Sequence, residues 1–551
     1  PITGGDGRVQ LWMTEGAGIP QTILVLDDVE FGDPSIDYGA IGYSGLQSQA
    51  VGTGVAWGCQ EVLSSDRSAW FGRVGLMPMA TEVRSDDVPS QWMGNENFLY
   101  WGRTLLASDV SGDGQQDLIV GNQDGAVVNI FTTGAPTLSN KSPADATWNI
   151  IGPTNSAFGL SLAMGDVDDN GQQELLVGAR TFNDGSQAIG AVSLYEVGSQ
   201  VQINSSMSDD TWTLYGDTIG FTEFGTAVVT GDVNGDGVDD IVIGAPKESS
   251  IDSQNGAVYI WYGYAGIFTD GDLDASQADA VILGDGLIDW FGYDLAVQDV
   301  DGDGMAEVFV SAPFADSAFP NAGTVYQIAG GTYSGITSIS SVSTTWWSGL
   351  ENTAEFGSEI ELGDIDGDGS IDLLVSAPYQ NGIFSQTGTV FGFLDVANSV
   401  GETLSINLDW QIDGVSIASN TGEHFWVGDF DGLGPDDVLI GNPNSDRMVA
   451  GGGTVSIFTD IDFTEADVQD ADRTLMGIDY AGRLGTGITV GDINNDGDNE
   501  VIASAPYADV NGYSGAGRVV SWQIQSTYID TDGDGFVDVF AGGVRAAVGD
   551  T

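Results

Sequence analysis

Residues 224–246 read Phe-Gly-Thr-Ala-Val-Val-Thr-Gly-Asp-Val-Asn-Gly-Asp-Gly-Val-Asp-Asp-Ile-Val-Ile-Gly-Ala-Pro. An aromatic-Gly pair opens the stretch. An acidic loop begins eight residues after the aromatic, at Asp232, and an apolar run then ends in Gly244-Ala245-Pro246. Short apolar and β-branched runs on either side of a Gly-rich turn read as two strands of a hairpin. Gly256-Ala257-Val258-Tyr259-Ile260-Trp261 follows as a third strand.

The same frame recurs along the chain. Its opening pairs are Trp101-Gly102, Phe158-Gly159, Phe224-Gly225, Phe291-Gly292, Phe356-Gly357, Thr421-Gly422 and Leu484-Gly485. The acidic loops start at Asp109, Asp166, Asp232, Asp299, Asp364, Asp429 and Asp492, at spacings of 57, 66, 67, 65, 65 and 63 residues. A degenerate copy precedes them at Tyr38-Gly39, 63 residues before Trp101; it carries Leu46-Gln47-Ser48-Gln49 where the others carry an acidic loop, and a strand at Gly72–Met77. A fourth strand per repeat carries a Trp or an apolar cluster, as in Gln91-Trp92-Met93 or Thr211-Trp212-Thr213-Leu214. Four short antiparallel strands in a unit of this length make one propeller blade, and a chain of 551 residues suits an architecture in which each unit packs on its neighbours. The expected fold is therefore all-β: a calcium-binding β-propeller of four-stranded blades. Eight blades are favoured, one per repeat; seven is the alternative, with the degenerate copy outside the ring. The last repeat lacks a fourth strand, and Thr22-Ile23-Leu24-Val25-Leu26 is expected to supply it and close the ring. The division that follows is residues 1–30 as closing strands, 31–527 as the propeller and 528–551 as a calcium-loop tail.

Aromatic-Gly, an acidic D-x-[DNS]-x-D-G-x-x-[DE] loop and [GS]-A-P together resemble the FG-GAP repeat of integrin α heads and of bacterial and archaeal surface proteins. The resemblance covers roughly residues 30–525, and departs from the pattern at Leu46, where the loop is missing, and at Thr421-Gly422, where the aromatic is gone.

The loops carry oxygen at alternate positions around a Gly, which is what a hard cation with 6–8 oxygen ligands requires; position 7 contributes a backbone carbonyl. Positions 1, 3, 5, 7 and 9 are Asp109, Ser111, Asp113, Gln115 and Asp117 in the first loop and Asp166, Asp168, Asn170, Gln172 and Glu174 in the second. They are Asp232, Asn234, Asp236, Val238 and Asp240 in the third, and Asp299, Asp301, Asp303, Met305 and Glu307 in the fourth. The fifth has Asp364, Asp366, Asp368, Ser370 and Asp372, and the last repeat Asp492, Asn494, Asp496, Asp498 and Glu500. In the loop at Asp429, Leu433 stands where position 5 needs an oxygen, so binding there is expected to be weak or absent. A tail loop with Asp530, Asp532, Asp534, Phe536 and Asp538 resembles the calcium repeats of thrombospondin-type stalks, so the natural chain is expected to continue past Thr551. Ca²⁺ is expected in about six propeller loops and one tail loop; magnesium wants fewer protein ligands. At free calcium about tenfold above Kd each site contributes roughly 1.4 kcal/mol, and six sites about 8 kcal/mol. That is comparable to the whole net stability of a domain.

The chain has 81 acidic and 13 basic residues, a net charge of −68. Such a chain repels nucleic acid and anionic membranes. The intact loops, the tail included, use 24 of the acids, and seven Ca²⁺ would leave −54, so calcium does not account for the acidity. A marine or saline-adapted prokaryotic surface is the expected setting for it. Cys59 is the single cysteine, so no internal disulfide is available, and its spacing from Val55 and Trp57 is that of a core strand residue. The chain opens at Pro1 without Met or a leader, which reads as a processed or truncated form, and no apolar run reaches the 18 residues of a membrane span. His424 is the only histidine and sits in a strand pattern, so it reads as structural. Trp92, Trp148, Trp212, Trp346 and Trp410 recur at one strand position and read as blade packing. No catalytic constellation stands out. The function expected is an extracellular, calcium-stabilised adhesion or structural module that binds a protein or glycan, or self-associates in a surface layer or fibre. The alternative is a carbohydrate-active propeller, a lectin or polysaccharide lyase.

Overall fold

The computed structural model describes residues 90–523, with short interruptions, and strand segments at 9–13, 21–26, 81–84, 528–529 and 539–540. Seven antiparallel four-stranded sheets follow one another along the chain. Their first strands are Thr104–Ser108, Phe158–Gly165, Val228–Gly231, Leu295–Gln298, Ile360–Gly363, Phe425–Gly428 and Gly487–Gly491. Each packs against the first strand of the next sheet, and Gly487–Gly491 packs back against Thr104–Ser108. That closed circuit is a seven-bladed propeller, with the first strands innermost.

The expected eighth blade is corrected by the closing strand. In the seventh sheet, Arg518–Gln523 pairs antiparallel with Ser90–Met93, in the register Val519 to Trp92. The fourth strand of the degenerate copy thus belongs to the blade whose first three strands lie at the other end of the propeller. One repeat is shared between two ends of the chain, and eight copies yield seven blades. Thr81–Arg84 runs parallel to Arg473–Met476 on the outside of the sixth blade. It follows the rule of the first five blades, each of which takes a short fifth strand from the connection between the third and fourth strands of the next, as Gly335–Ser338 lies beside Ala280–Leu283; the seventh blade makes a single parallel bridge there, Trp92 to Lys141. The closing seat expected for Thr22–Leu26 is therefore filled by Ser90–Met93. Gln21–Leu26 pairs with Val9–Met13, and Tyr528–Ile529 pairs with Val539–Phe540. Tyr38-Gly39, Leu46–Gln49, Cys59 and Gly72–Met77 lie outside the described residues.

Local chemistry explains the repeat frame. The second strands, such as Asp240–Ala245 and Glu307–Ala312, are buried at every position because they lie between two neighbouring blades. The Gly that opens the third strand is required by close approach. At Gly256, φ is +83° and a Cβ would meet the carbonyl oxygen of Phe291 in the next blade at 2.1 Å. The aromatic of each opening pair therefore packs by its backbone onto the preceding blade, and Phe158, Phe224, Phe291 and Phe356 are fully buried. The tryptophans mostly obey the packing reading: Trp92, Trp212 and Trp410 are buried. In the fourth blade the register shifts between Gln327 and Ile328, and Trp347, not Trp346, fills the core position.

Candidate metal centres in the acidic loops

First strands run from the aromatic-Gly pair to the acidic loop, and second strands run back to Gly-Ala-Pro. All seven acidic loops therefore lie at one face of the ring, and all aromatic-Gly and Gly-Ala-Pro turns at the other.

Within each intact loop the first Asp curls over the turn. Its Oδ2 accepts the N–H of the sixth residue: Gly114 at 2.7 Å, Gly171 at 2.9 Å, Gly237 at 2.8 Å, Gly304 at 3.0 Å, Gly369 at 2.9 Å and Gly497 at 3.0 Å. The sharp turn needs left-handed backbone at the fourth and sixth positions, and Gly302 and Gly304 have φ of +74° and +88°. The ninth residue starts the second strand and is buried in every loop: Asp117, Glu174, Asp240, Glu307, Asp372, Asp437 and Glu500 are at most 3% exposed. In the second to seventh blades its carboxylate accepts the N–H of the second residue, as Glu174 Oε2 does from Val167 at 3.1 Å and Asp372 Oδ2 from Ile365 at 2.9 Å; in the first, Asp117 Oδ2 accepts from the third residue, Ser111, at 2.9 Å. In the third, fourth and fifth blades its other oxygen accepts from the chain beyond the third strand, at Gly263, Gly330 and Asp395.

These carboxylates are crowded and desolvated. Burial, followed by repulsion from Asp168, pushes Glu174 up to about 8. Burial and then the aspartates at positions 5 and 1 push Glu500 up to about 8, and burial lifts Asp240 to about 7 and Asp372 to about 6. A buried anion beside other anions is costly unless a counter-charge is supplied. Among the described residues, three loops bring carboxylate oxygens within 4.8 Å of one another: Asp166, Asp168 and Glu174; Asp299, Asp301 and Asp303; Asp364, Asp366 and Asp372. In two of them a buried oxygen has no hydrogen-bond partner, Glu174 Oε1 and Asp364 Oδ1. An all-oxygen donor set with orphaned buried oxygens fits a hard divalent cation. The loop at Asp429 keeps its first and ninth residues; Asp431 and Leu433 lie outside the described residues, as does the whole tail loop Asp530–Asp538.

A second acidic group was not legible as a site in the sequence. A cavity of about 330 Å³ in the central channel is lined by the inner strands of the second to fifth blades, with Asp294, Glu359 and Glu361 on its wall. Asp294 Oδ2 accepts the Ile360 N–H at 2.8 Å and Glu359 Oε2 the Phe425 N–H at 3.1 Å, so each carboxylate ties one blade to the next. His424 Nδ1 lies 3.4 Å from Glu359 Oε1, and its ring is 41% exposed, to the channel. Burial lowers the His424 pKa, but Glu359, Glu423 and Asp294 outweigh it and hold the imidazole up at about 9. The signal available in sequence was the residue three after the opening residue of the frame, which is Asp294, Glu359 and His424 in three successive repeats.

A seven-bladed propeller with an acidic loop at the same corner of each blade defines the class. The FG-GAP repeat family matches residues 224–261 and 484–522, and the FG-GAP-like repeat matches residues 299–375. The chain carries FG-GAP repeats. It is 29% identical over 225 residues to integrin alpha-5 of Xenopus laevis, covering 40% of this chain and 20% of that protein. It is 30% identical over 195 residues to integrin alpha-8 of Mus musculus, covering 34% of this chain and 17% of that protein. It is 31% identical over 202 residues to phosphatidylinositol-glycan-specific phospholipase D of Rattus norvegicus, covering 36% and 24%. The chain thus spans about a fifth of the length of these relatives. Among solved structures, rhamnogalacturonan lyase PL11 of Bacillus licheniformis aligns with a TM-score of 0.36 at 13% identity, over 76% of this chain and 71% of that one.

Proposed function

We propose that the protein is an extracellular adhesion-type module whose two faces divide the work. The acidic-loop face holds Ca²⁺ as structural staples, with positions 1, 3, 5, 7 and 9 of the loops at Asp109, Asp166, Asp232, Asp299, Asp364 and Asp492 as ligands. The tail loop at Asp530 is a further site of the same type. The bound ion supplies counter-charge to the buried carboxylates and no chemistry, and the ninth residues hold each loop against its blade. The likeness to integrin α chains supports the adhesion reading and a place outside the cell. No helix among the described residues is long and apolar enough to cross a membrane.

The opposite face carries the partner. Thirteen large hydrophobic side chains among the described residues are exposed, and ten of them lie at the ends or connections on the aromatic-Gly face: Ile151, Phe221, Leu287, Ile288, Phe319, Phe384, Ile417, Met448, Tyr480 and Tyr513. Side chains this apolar gathered on one face mark an interaction surface. A protein, or a second copy of this chain in a surface assembly, is the partner this face suits. The test is a pair of triple substitutions. Phe384→Glu, Ile417→Glu and Tyr480→Glu together should abolish adhesion of protein-coated beads to extracellular matrix and self-association in sedimentation, at unchanged melting temperature. Ile336→Glu, Val400→Glu and Tyr264→Glu, away from this face, should leave both intact. Equal behaviour of the two triples would overturn the assignment.

A glycan-binding reading has one observation in its favour. On the same face Arg103 donates to the Tyr507 hydroxyl at 2.7 Å, and the Arg483 guanidinium lies 4.9 Å from the Tyr507 ring centre beside Tyr100. Half-buried tyrosine faces flanked by arginines are a sugar-stacking chemistry. Glycan-array binding lost on Tyr507→Ala, without release of unsaturated sugar, would establish a lectin and exclude a lyase.

A further inference from the structure

The eighth residue of an acidic loop reaches the loop of the preceding blade. Asp239 Oδ2 accepts the Asp166 N–H at 3.0 Å, and the Asp239 N–H donates to the Asp166 carbonyl at 3.2 Å. Asp436 makes the same reciprocal pair with Asp364, at 2.8 Å in both directions. At the remaining joints where a bond is made, the eighth residue is neutral. Gln116 Oε1 accepts the Asp492 N–H at 2.8 Å across the closing joint, Ala306 gives only its N–H to the Asp232 carbonyl, and the Asn499 amide donates to the Phe430 carbonyl.

Two further observations single out the same two loops. At Asp166 and at Asp364, carboxylates of the first, third and ninth residues converge within 4.8 Å; the loop at Asp299 gathers three acids without its ninth. Among the described residues, the buried loop carboxylate oxygens without a partner, Glu174 Oε1 and Asp364 Oδ1, are also in these two loops.

We infer that Asp239 and Asp436 are positioning residues that make the loops at Asp166 and Asp364 the two tight cation sites of the ring. The inference rests on the loops being divalent-cation sites at all. Each carboxylate fixes the backbone of the first ligand from the next blade and adds negative charge just outside the coordinating oxygens, where it attracts a divalent ion without binding it. Asp436 belongs to the loop that lacks an oxygen at its fifth position. That loop has lost its own ligand set and still serves its neighbour's.

The experiment is calcium titration calorimetry on the whole chain, for wild type, Asp239→Asn, Asp436→Asn, the double variant and Gln116→Ala, with melting temperatures in chelator. Wild type should resolve two sites at least about tenfold tighter than the rest. Each Asn variant should weaken one of them by about tenfold, the usual effect of an outer partner. Neither should lower the melting temperature in chelator, because the amide oxygen still accepts the N–H and one anion leaves a crowded acidic corner. Gln116→Ala should leave both tight sites unchanged. Asn variants that lower the chelated melting temperature and leave the isotherm unchanged would make these residues merely structural and overturn the inference. So would binding with no tight pair. The absence of calcium binding in wild type would overturn the cation reading beneath it.

Discussion

The loops at Asp364 and Asp429 occupy the same corner of adjacent blades and have kept different things. Both keep the buried ninth carboxylate on the N–H of the second residue, at 2.9 Å for Asp372 with Ile365 and 3.0 Å for Asp437 with Phe430. Both keep the turn: φ is +72° and +88° at Gly367 and Gly369, and +74° and +88° at Gly432 and Gly434. Only the first has oxygens at both its third and fifth positions; the second has Leu433 at its fifth. The backbone shape is thus held by the first turn and the ninth residue, and the remaining oxygens are free to serve the proposed ion. On the proposed reading, fold and metal make separable demands on one nine-residue loop.

The largest expected effect tests the ion across the whole ring. Six sites at about tenfold saturation or above contribute at least about 8 kcal/mol, so chelation should lower the melting temperature by at least about 10 °C for a propeller of this length. A change under about 2 °C would deny the loops a stapling role. Next comes the demand of the fold. Asp437→Ala strips the partner from a buried N–H and should cost about 1–3 kcal/mol with or without calcium, measured by denaturant unfolding in both conditions. Asp366→Ala in the neighbouring loop removes a ligand of one of the tight sites, about a hundredfold saturated when the others are about tenfold saturated, and should cost about 2.7 kcal/mol in calcium and nothing in chelator. A calcium-dependent penalty at Asp437 as large as that at Asp366 would erase the comparison. Leu433→Asp sharpens it by returning an oxygen to the sixth blade, and should add a weak calcium site visible by calorimetry with a gain of under about 1 kcal/mol.

The smallest effect concerns the channel. Burial, then Glu359 and Asp294, hold Glu361 well above the ordinary carboxylate value. A group whose pKa is raised by folding contributes stability that is complete below its unfolded value and is lost as pH rises through the folded one. Glu361→Gln removes that loss. Its melting temperature should equal wild type at pH 4 and exceed it at pH 8; a deficit at pH 8 would mean that the ionised carboxylate is stabilising.

The repeat frame was legible because it is local: aromatic-Gly, loop and Gly-Ala-Pro lie within 23 residues of one another. Blade number was not, because pairing partners leave no trace in a periodic pattern. Gln91-Trp92-Met93 reads the same whether it ends its own repeat or completes the blade of Arg518–Gln523, and only the ring decides. Asp294, Glu359 and His424 are each 65 residues apart and meet only because inner strands face one channel. Asp239 and Asp436 were hidden in plain view, as the first members of the Asp-Asp pairs 239–240 and 436–437. The loop pattern marks the second member as the buried ninth residue, and geometry alone gives the first to the neighbouring loop.

The central claim, that the acidic loops are cation staples whose ligand set rather than loop shape decides occupancy, is tested most directly by locating the ions. Anomalous difference density from crystals grown in calcium should show an ion in each of the loops at Asp109, Asp166, Asp232, Asp299, Asp364 and Asp492, with oxygens at about 2.3–2.6 Å, and none in the loop at Asp429. Empty loops at saturating calcium, or an ion of full occupancy at Asp429, would contradict it.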